Sequence, residues 1–307
     1  MKTAFLFPGQ GAQTPGMGAD LYDSSDTYRR TFDLCQQAAG VDLAAACFEG
    51  RGMDGSETIQ PAIFAHTVSL LAVLKAEGIR ADVYAGLSLG EYSALCAAGV
   101  FTPEVGTSLV RRRGALMDSA MPPGVGGMLS VIGFGIEQVE AAIAPYKEVY
   151  LANHLSEQQM VLGGRLDDLL EIKDEMEAAG AKMATLLAVK GPSHCPILDE
   201  ASAQFAEVLK KVELSPMAGV VYSNALGTPY PPDADIRALL CEQMRARVRW
   251  HDNVEHMLAS GVTRFVEIGP GNVLAKLLKR RAREAEVLSV RDVDTLEVFL
   301  REYREDK

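Results

Sequence analysis

The sequence predicts an α/β protein, a mostly parallel sheet covered by helices and carrying a small inserted ferredoxin-like α+β subdomain. Three observations point there. Strand-like apolar runs alternate with helix-length segments from Ala4 to Met117 and again beyond Pro196, the rhythm of a parallel sheet whose site lies at the carboxyl ends of its strands. Between Met128 and Val189 the order becomes strand, helix, strand, strand, helix, strand, which is the ferredoxin-like unit. Finally, Gly86-Leu87-Ser88-Leu89-Gly90-Glu91 joins the apolar run Val83-Tyr84-Ala85 to the helix-like Tyr92–Ala98, a G-x-S-x-G turn between strand and helix. With 307 residues, 48% of them hydrophobic, the chain can bury a large core in one large domain or two smaller ones.

Taken in order, Ala4–Phe7 reads as a strand ending in the turn Pro8-Gly9-Gln10-Gly11-Ala12-Gln13, and a helix follows around Asp26–Ala39. Residues Pro61–Glu77 are apolar on nearly every side, through Ile63, Phe64, Val68, Leu70, Leu71, Val73 and Leu74, which predicts a helix buried in the middle of a domain. The strand Val83–Ala85 and the serine turn come next, then a helical stretch bearing Arg111-Arg112-Arg113-Gly114-Ala115-Leu116-Met117. The turn Met121-Pro122-Pro123-Gly124-Val125-Gly126-Gly127 breaks the rhythm and is the candidate boundary. Within the insert, strands are expected at Met128–Phe134, Val149–Ala152, Gln159–Leu162 and Lys182–Val189, and helices at Ile136–Ala144 and Leu166–Ala179. The α/β rhythm resumes with helix Pro196–Val212, strand Val220–Tyr222, helices Asp235–Met244 and Asn253–Ser260, strand Arg264–Ile268 and a final helix after Gly269-Pro270-Gly271. The expected division is residues 1–122 and 191–307 for the large domain and 123–190 for the insert.

Composition narrows the function classes. No run approaches the roughly 18 uninterrupted apolar residues of a membrane span. Met1-Lys2-Thr3 leads straight into a strand without the apolar region and cleavage site of a signal peptide, so the cytoplasm is the expected location. The five cysteines, Cys35, Cys47, Cys96, Cys195 and Cys241, are odd in number and hold no C-x-x-C pair, which favours free thiols over a disulfide framework or a zinc site. A net charge of -11 argues against nucleic acid as a partner. Against that background Lys276, Lys279, Arg280, Arg281 and Arg283 gather near the C-terminus, a solvated helix face or a landing patch for an acidic partner.

A serine on a strand–helix turn is lifted out of the backbone. The helix start behind it offers unpaired N–H groups and a partial positive charge to an oxyanion. The motif therefore proposes acyl transfer through a seryl ester at Ser88, against the plainer reading of a helix-capping serine. The search for its base is short, because the chain has only five histidines. His66 lies inside the apolar helix and reads as a hydrogen-bonded core residue. His251 and His256 share no helix face and belong to no metal pattern, and His154 sits loosely at a cleft rim. His194 falls in Gly191-Pro192-Ser193-His194-Cys195-Pro196, a turn-rich loop between the last strand of the insert and the next helix. A cleft is expected at such a hinge, and an imidazole there can take the serine proton and return it. Adjacent Cys195 reads as a buried structural thiol. Gln10, just past a strand end, either completes an oxyanion hole with the N–H of Leu89 or belongs to an ordinary turn. Three consecutive arginines cannot all point one way; Arg111 and Arg112 read as surface charges, while one of the three can turn inward to meet an anion.

These segments resemble the malonyl-CoA:acyl carrier protein transacylases of fatty acid and polyketide synthesis. The resemblance spans nearly the whole chain and rests on six ordered motifs: Phe7–Gln13, Gln60-Pro61-Ala62, Gly86–Tyr92, Arg113–Met117, Pro192-Ser193-His194-Cys195 and Glu267-Ile268-Gly269-Pro270-Gly271. It implies a hydrolase-like parallel-sheet domain with the ferredoxin-like insertion, and transfer of malonyl from malonyl-CoA to the phosphopantetheine thiol of acyl carrier protein, with no cofactor and no metal. It further implies Ser88 as nucleophile and His194 as base, with the main-chain carbonyl of Gln243 orienting the imidazole. Gln10 and Leu89 would donate the oxyanion N–H groups, Gln60 and Met117 would line the substrate pocket, and Arg113 would pair with the free carboxylate of malonate. The patch of Lys276, Lys279, Arg280, Arg281 and Arg283 becomes the expected carrier-protein docking site, on a protein expected to act as a monomer. One departure stands out. Many members carry histidine immediately before the serine, where this chain has Leu87, which bears on acyl selectivity and rate. The rival readings are a serine hydrolase or thioesterase, which usually orders its triad Ser, acid, His, and an acyltransferase for another acyl-CoA. A dinucleotide-binding protein is less well matched, since Gly9-Gln10-Gly11 lacks its third glycine and has Thr14 there. A docking subunit with a dead site is the non-enzyme alternative.

Overall fold

The computed structural model describes residues 1–305. Strand β1 (Lys2–Phe7) opens the chain and ends at Pro8. Helices α1 (Ala19–Ser24), α2 (Asp26–Ala39) and α3 (Leu43–Glu49) follow. The Ser25 hydroxyl accepts from the Tyr28 N–H to start α2, and the Asp42 carboxylate accepts from the Ala45 N–H to start α3, each satisfying a donor the helix ladder leaves over. Helix α4 (Ser56–Ala76) begins five residues before Pro61, where the sequence predicts its start. Pro61 is the sixth residue of α4, past the first turn in which proline costs no intrahelical bond, so it does not mark where the helix begins. Gln60 is thereby helical. Among the described residues α4 is the one helix long and apolar enough to cross a membrane, yet it is largely buried inside the protein.

Strand β2 (Val83–Gly86), helix α5 (Leu89–Ala97) and helix α6 (Pro103–Ser119) complete this stretch. Strand β3 (Gly126–Ile132), helix α7 (Ile136–Ile143), strands β4 (Val149–Ser156) and β5 (Gln159–Arg165), helix α8 (Leu166–Ala178) and strand β6 (Met183–Leu186) then repeat the predicted order. A single 3₁₀ turn at Pro196–Leu198 precedes helix α9 (Asp199–Leu209), so the α-helix expected from Pro196 starts three residues later. The chain continues through β7 (Val220–Val221), α10 (Ile236–Arg245), α11 (Trp250–Ala259) and β8 (Val262–Ile268). Beyond Gly271 the single final helix expected from the sequence is instead α12 (Val273–Arg281), strand β9 (Glu286–Val290) and α13 (Val293–Glu305). β9 is an edge strand whose first four residues are only half-buried, so it lacks the continuous apolar run that marks a central parallel strand.

The chain divides into two compact units, residues 1–114, 212–222 and 255–307, and residues 115–211 and 223–254. In the first, five parallel strands lie in the order β7-β2-β1-β8-β9. Ala4 of β1 sits opposite Val83 of β2 and Phe265 of β8. β1 and β2 are therefore neighbours whose carboxyl ends open side by side, with Phe5, Phe7, Phe64 and Phe265 buried in the core. In the second, four antiparallel strands lie in the order β4-β5-β3-β6, the ferredoxin-like arrangement. Its core is Leu129, Val131, Val139, Leu162, Leu169 and Ile172, contributed by one sheet face and by α7 and α8.

Candidate active site

Ser88 occupies the link between β2 and α5 with φ 54° and ψ −106°. Left-handed φ is costly for a serine and persists only where neighbours hold it. The neighbours here are backbone. A Cβ on Gly86 would lie 1.9 Å from the Gly90 carbonyl carbon, and one on Gly90 would lie 2.0 Å from the Phe7 oxygen. Only glycines let β2, the turn and the end of β1 close on one another this tightly. The Leu87 N–H donates to the Phe7 oxygen at 3.0 Å, which brings the Pro8-Gly9-Gln10 turn alongside the serine. Leu89 is the first residue of α5, where the helix ladder offers its N–H no acceptor. An oxyanion beside Ser88 would therefore meet a helix N-terminus.

Arg113 is fully buried on α6. Its two terminal nitrogens donate to Ser88 Oγ at 3.1 Å and to Gln60 Oε1 at 2.9 Å, and Gln60 Nε2 donates in turn to Gln10 Oε1 at 3.4 Å. The Tyr92 ring lies under the guanidinium, 5.4 Å from Cζ to ring centroid. Burial pulls the Arg113 pKa down from the ordinary arginine value, with Tyr92 and Glu91 opposing. The terminal nitrogen that donates to Ser88 Oγ turns the edge of the guanidinium toward the nucleophile, and such an edge is chemically suited to a carboxylate. Of its neighbours, Arg111 reaches Glu57 at 2.9 Å and Arg112 is exposed. The signal for which arginine turns inward is the spacing Leu109, Arg113, Leu116, one helix stripe whose apolar members are both buried. Met117 lies one turn further along α6 and is partly buried.

The second unit holds His194, also at left-handed φ (59°) and nearly buried. Two consecutive carbonyls at the end of α10 grip it: its backbone N–H donates to the Met244 oxygen at 3.0 Å, and Nδ1 meets the Gln243 oxygen at 2.6 Å. A carbonyl can only accept, so Nδ1 carries the proton and Nε2 is the acceptor nitrogen of the neutral ring. Helix α10 is itself fastened to α9 at one-turn intervals. Arg237 donates to the Leu209 oxygen, Ser202 Oγ to the Cys241 oxygen at 2.7 Å, and Arg245 to Asp199 Oδ1 at 2.5 Å. Sequence reasoning did not single out Ser202, Arg245 or Tyr92, because a polar side chain on a helix gives no sign of which distant carbonyl or cation it meets. Burial pushes the Cys195 thiol up to about 12, far from the thiolate that nucleophilic cysteines need.

Thus Ser88, Arg113, Gln60 and Gln10 meet in the first unit, and His194 meets Gln243 in the second. His66 is fully buried with Nδ1 2.6 Å from the Tyr28 hydroxyl, and His154 stacks on His251 with ring centroids 4.6 Å apart. Among the described residues no group of three His, Cys, Asp or Glu side chains could hold a metal ion. Lys276, Lys279, Arg280, Arg281 and Arg283 are all exposed, with Arg281 held by Glu255 through two 2.6 Å bonds. The Glu267 carboxylate at the end of β8 accepts from the N–H groups of Leu274 and Ala275, so the Glu267–Gly271 motif caps the helix that carries this patch.

Residues 4–302 match the acyl transferase domain model. The chain is 35% identical to a malonyl CoA-acyl carrier protein transacylase of Bacillus subtilis (strain 168), covering 99% of this chain and 98% of the relative. It is similar to the crystal structure of a malonyl CoA-acyl carrier protein transacylase from Clostridium perfringens, with TM-score 0.95, 36% identity and coverage of 99% and 98%. A solved complex of a type II PKS acyl-carrier protein with its malonyl-transacylase is similar too, with TM-score 0.92, 35% identity and coverage of 96% and 98%. A glycine-bounded serine turn, a buried arginine beside it, and near full-length similarity to named transacylases lead to one conclusion: this chain belongs to the acyl transferase family, alongside the malonyl CoA-acyl carrier protein transacylases.

Proposed function

We propose that the protein transfers malonyl from malonyl-CoA to the phosphopantetheine thiol of acyl carrier protein through a malonyl-Ser88 ester. The observation that carries this reading is Arg113, a buried guanidinium whose edge faces Ser88 Oγ at 3.1 Å. A buried guanidinium edge beside a nucleophile favours an acyl group that brings its own carboxylate, because its planar donors pair with a carboxylate in charge-assisted bonds that an acetyl group cannot make.

In the first step Ser88 Oγ attacks the thioester carbonyl while His194 Nε2 takes its proton. The carbonyl oxygen becomes an oxyanion held by the N–H groups of Gln10 and Leu89. Collapse expels CoA thiolate, which His194 protonates, leaving malonyl-Ser88. The carrier-protein thiol then attacks the ester, giving its proton to His194, and Ser88 leaves with that proton restored. The Gln243 carbonyl holds the imidazole in the tautomer this shuttle requires. Gln60 and Met117 line the acyl pocket, Gln60 by fixing the in-plane rotation of Arg113 through its 2.9 Å bond. Residues 123–190 serve as the ferredoxin-like subdomain, the exposed cations of α12 receive an acidic carrier protein, and the enzyme works as a cytoplasmic monomer.

A covalent intermediate predicts parallel double-reciprocal lines when malonyl-CoA and holo carrier protein are varied. Intersecting lines would reject the covalent intermediate in favour of a ternary complex, and release of free malonate faster than malonyl carrier protein would reject transfer in favour of a thioesterase.

A further inference from the structure

The serine turn ends on Glu91 and Tyr92, residues for which the proposed chemistry names no task. Tyr92 is four residues beyond Ser88 on α5, one turn along, and is fully buried. Its ring lies 5.4 Å from Arg113 Cζ, within the range of attraction between a cation and an aromatic face. A guanidinium is planar and all its N–H donors lie in that plane. Its edge is therefore the surface that works on an anion. The bond to Gln60 holds one terminal nitrogen of Arg113, and attraction between the cation and the ring face holds the guanidinium over Tyr92.

We infer that Tyr92 is a positioning residue that sets the acyl preference of the site: its ring holds the Arg113 plane so that the donors aimed at Ser88 Oγ are aligned for the carboxylate of a malonyl group. This rests on the malonyl-transfer reading above. Tyr92 acts through Arg113. Loss of the aromatic face is expected to misalign the carboxylate contact while leaving the ester chemistry at Ser88 in place.

The test compares single-turnover acylation by malonyl-CoA and by acetyl-CoA in the wild type, Tyr92→Phe and Tyr92→Leu. Tyr92→Leu is expected to reduce the malonyl-over-acetyl preference about tenfold, mainly through a raised KM for malonyl-CoA, and Tyr92→Phe to keep most of it. A merely structural role would slow both donors alike and leave the preference unchanged, which would overturn the inference. A second series keeps the shape of the ring. With phenylalanine and then 3,5-difluorophenylalanine at position 92, the preference is expected to fall as fluorination weakens the negative ring face, and a flat series overturns the role of Tyr92. Wild-type protein that forms no ester at Ser88 would remove the transfer reading itself, whereas an ester with unaltered preference in every variant would remove only this inference.

Discussion

His66 makes a sharp prediction about acid stability. It sits in the middle of α4, the helix whose first turns present Gln60, and it is fully buried against the Tyr28 hydroxyl. Burial pulls its pKa from the ordinary 6.5 to about 4, with Asp20 and Asp292 opposing. In the unfolded chain the imidazole protonates near 6.5. Between these values the unfolded state binds a proton that the folded state refuses, so stability rises with pH across that window. The contribution of neutral His66 is complete above about pH 6.5, falls as pH is lowered toward 4, and changes no further below it. At about 1.4 kcal/mol per pH unit the window corresponds to ~3 kcal/mol. Urea unfolding of the wild type and His66→Gln, measured from pH 7.5 to 3.5, isolates this contribution because carboxylates common to both proteins cancel. The wild type should lose ~3 kcal/mol more than the variant over that range. Parallel stability curves would refute the assignment of a neutral, depressed His66.

Other perturbations address the site. Arg113→Met should lower kcat/KM for malonyl-CoA by about a hundredfold or more, from the ~3–5 kcal/mol scale of a broken desolvated pair, with a much smaller effect on acetyl-CoA; equal losses in steady-state assays would contradict its selecting role. Ser202→Ala removes the bond to the Cys241 carbonyl that fastens α10 to α9. It should lower kcat several-fold without changing KM for malonyl-CoA and shift the downfield NMR proton of His194 Nδ1, and an unmoved resonance would count against α10 as the support of His194. Reversing charge with Lys279→Glu and Arg280→Glu should raise KM for the carrier protein about tenfold while leaving malonyl-CoA kinetics intact, and an unchanged carrier-protein KM would reject docking on α12.

The parts of the site that sequence discloses are those where backbone geometry dictates residue type. The serine turn is legible because its crowded backbone admits only glycine at Gly86 and Gly90. The insert is legible because hydrophobic alternation and helical periodicity change places in a fixed order from Met128 onward. A backbone carbonyl leaves no mark on side-chain type, so the partner of His194 Nδ1 could be named only through the family resemblance. The Tyr92–Arg113 contact joins residues on different helices, where local spacing is silent. β9 escapes for a different reason: an edge strand is partly solvated and needs no apolar run. Leu87, beside the nucleophile, is visible in sequence as a departure, and its consequence lies in the acyl preference that the donor comparisons measure.

Exposing the intact protein to malonyl-CoA, and reading its mass before and after addition of holo carrier protein, addresses the malonyl-Ser88 ester itself. A single malonyl adduct is expected, mapped to Ser88, absent from Ser88→Ala, far weaker with acetyl-CoA, and discharged onto the carrier-protein thiol. An adduct on another residue, or transfer that proceeds in Ser88→Ala, would contradict the mechanism.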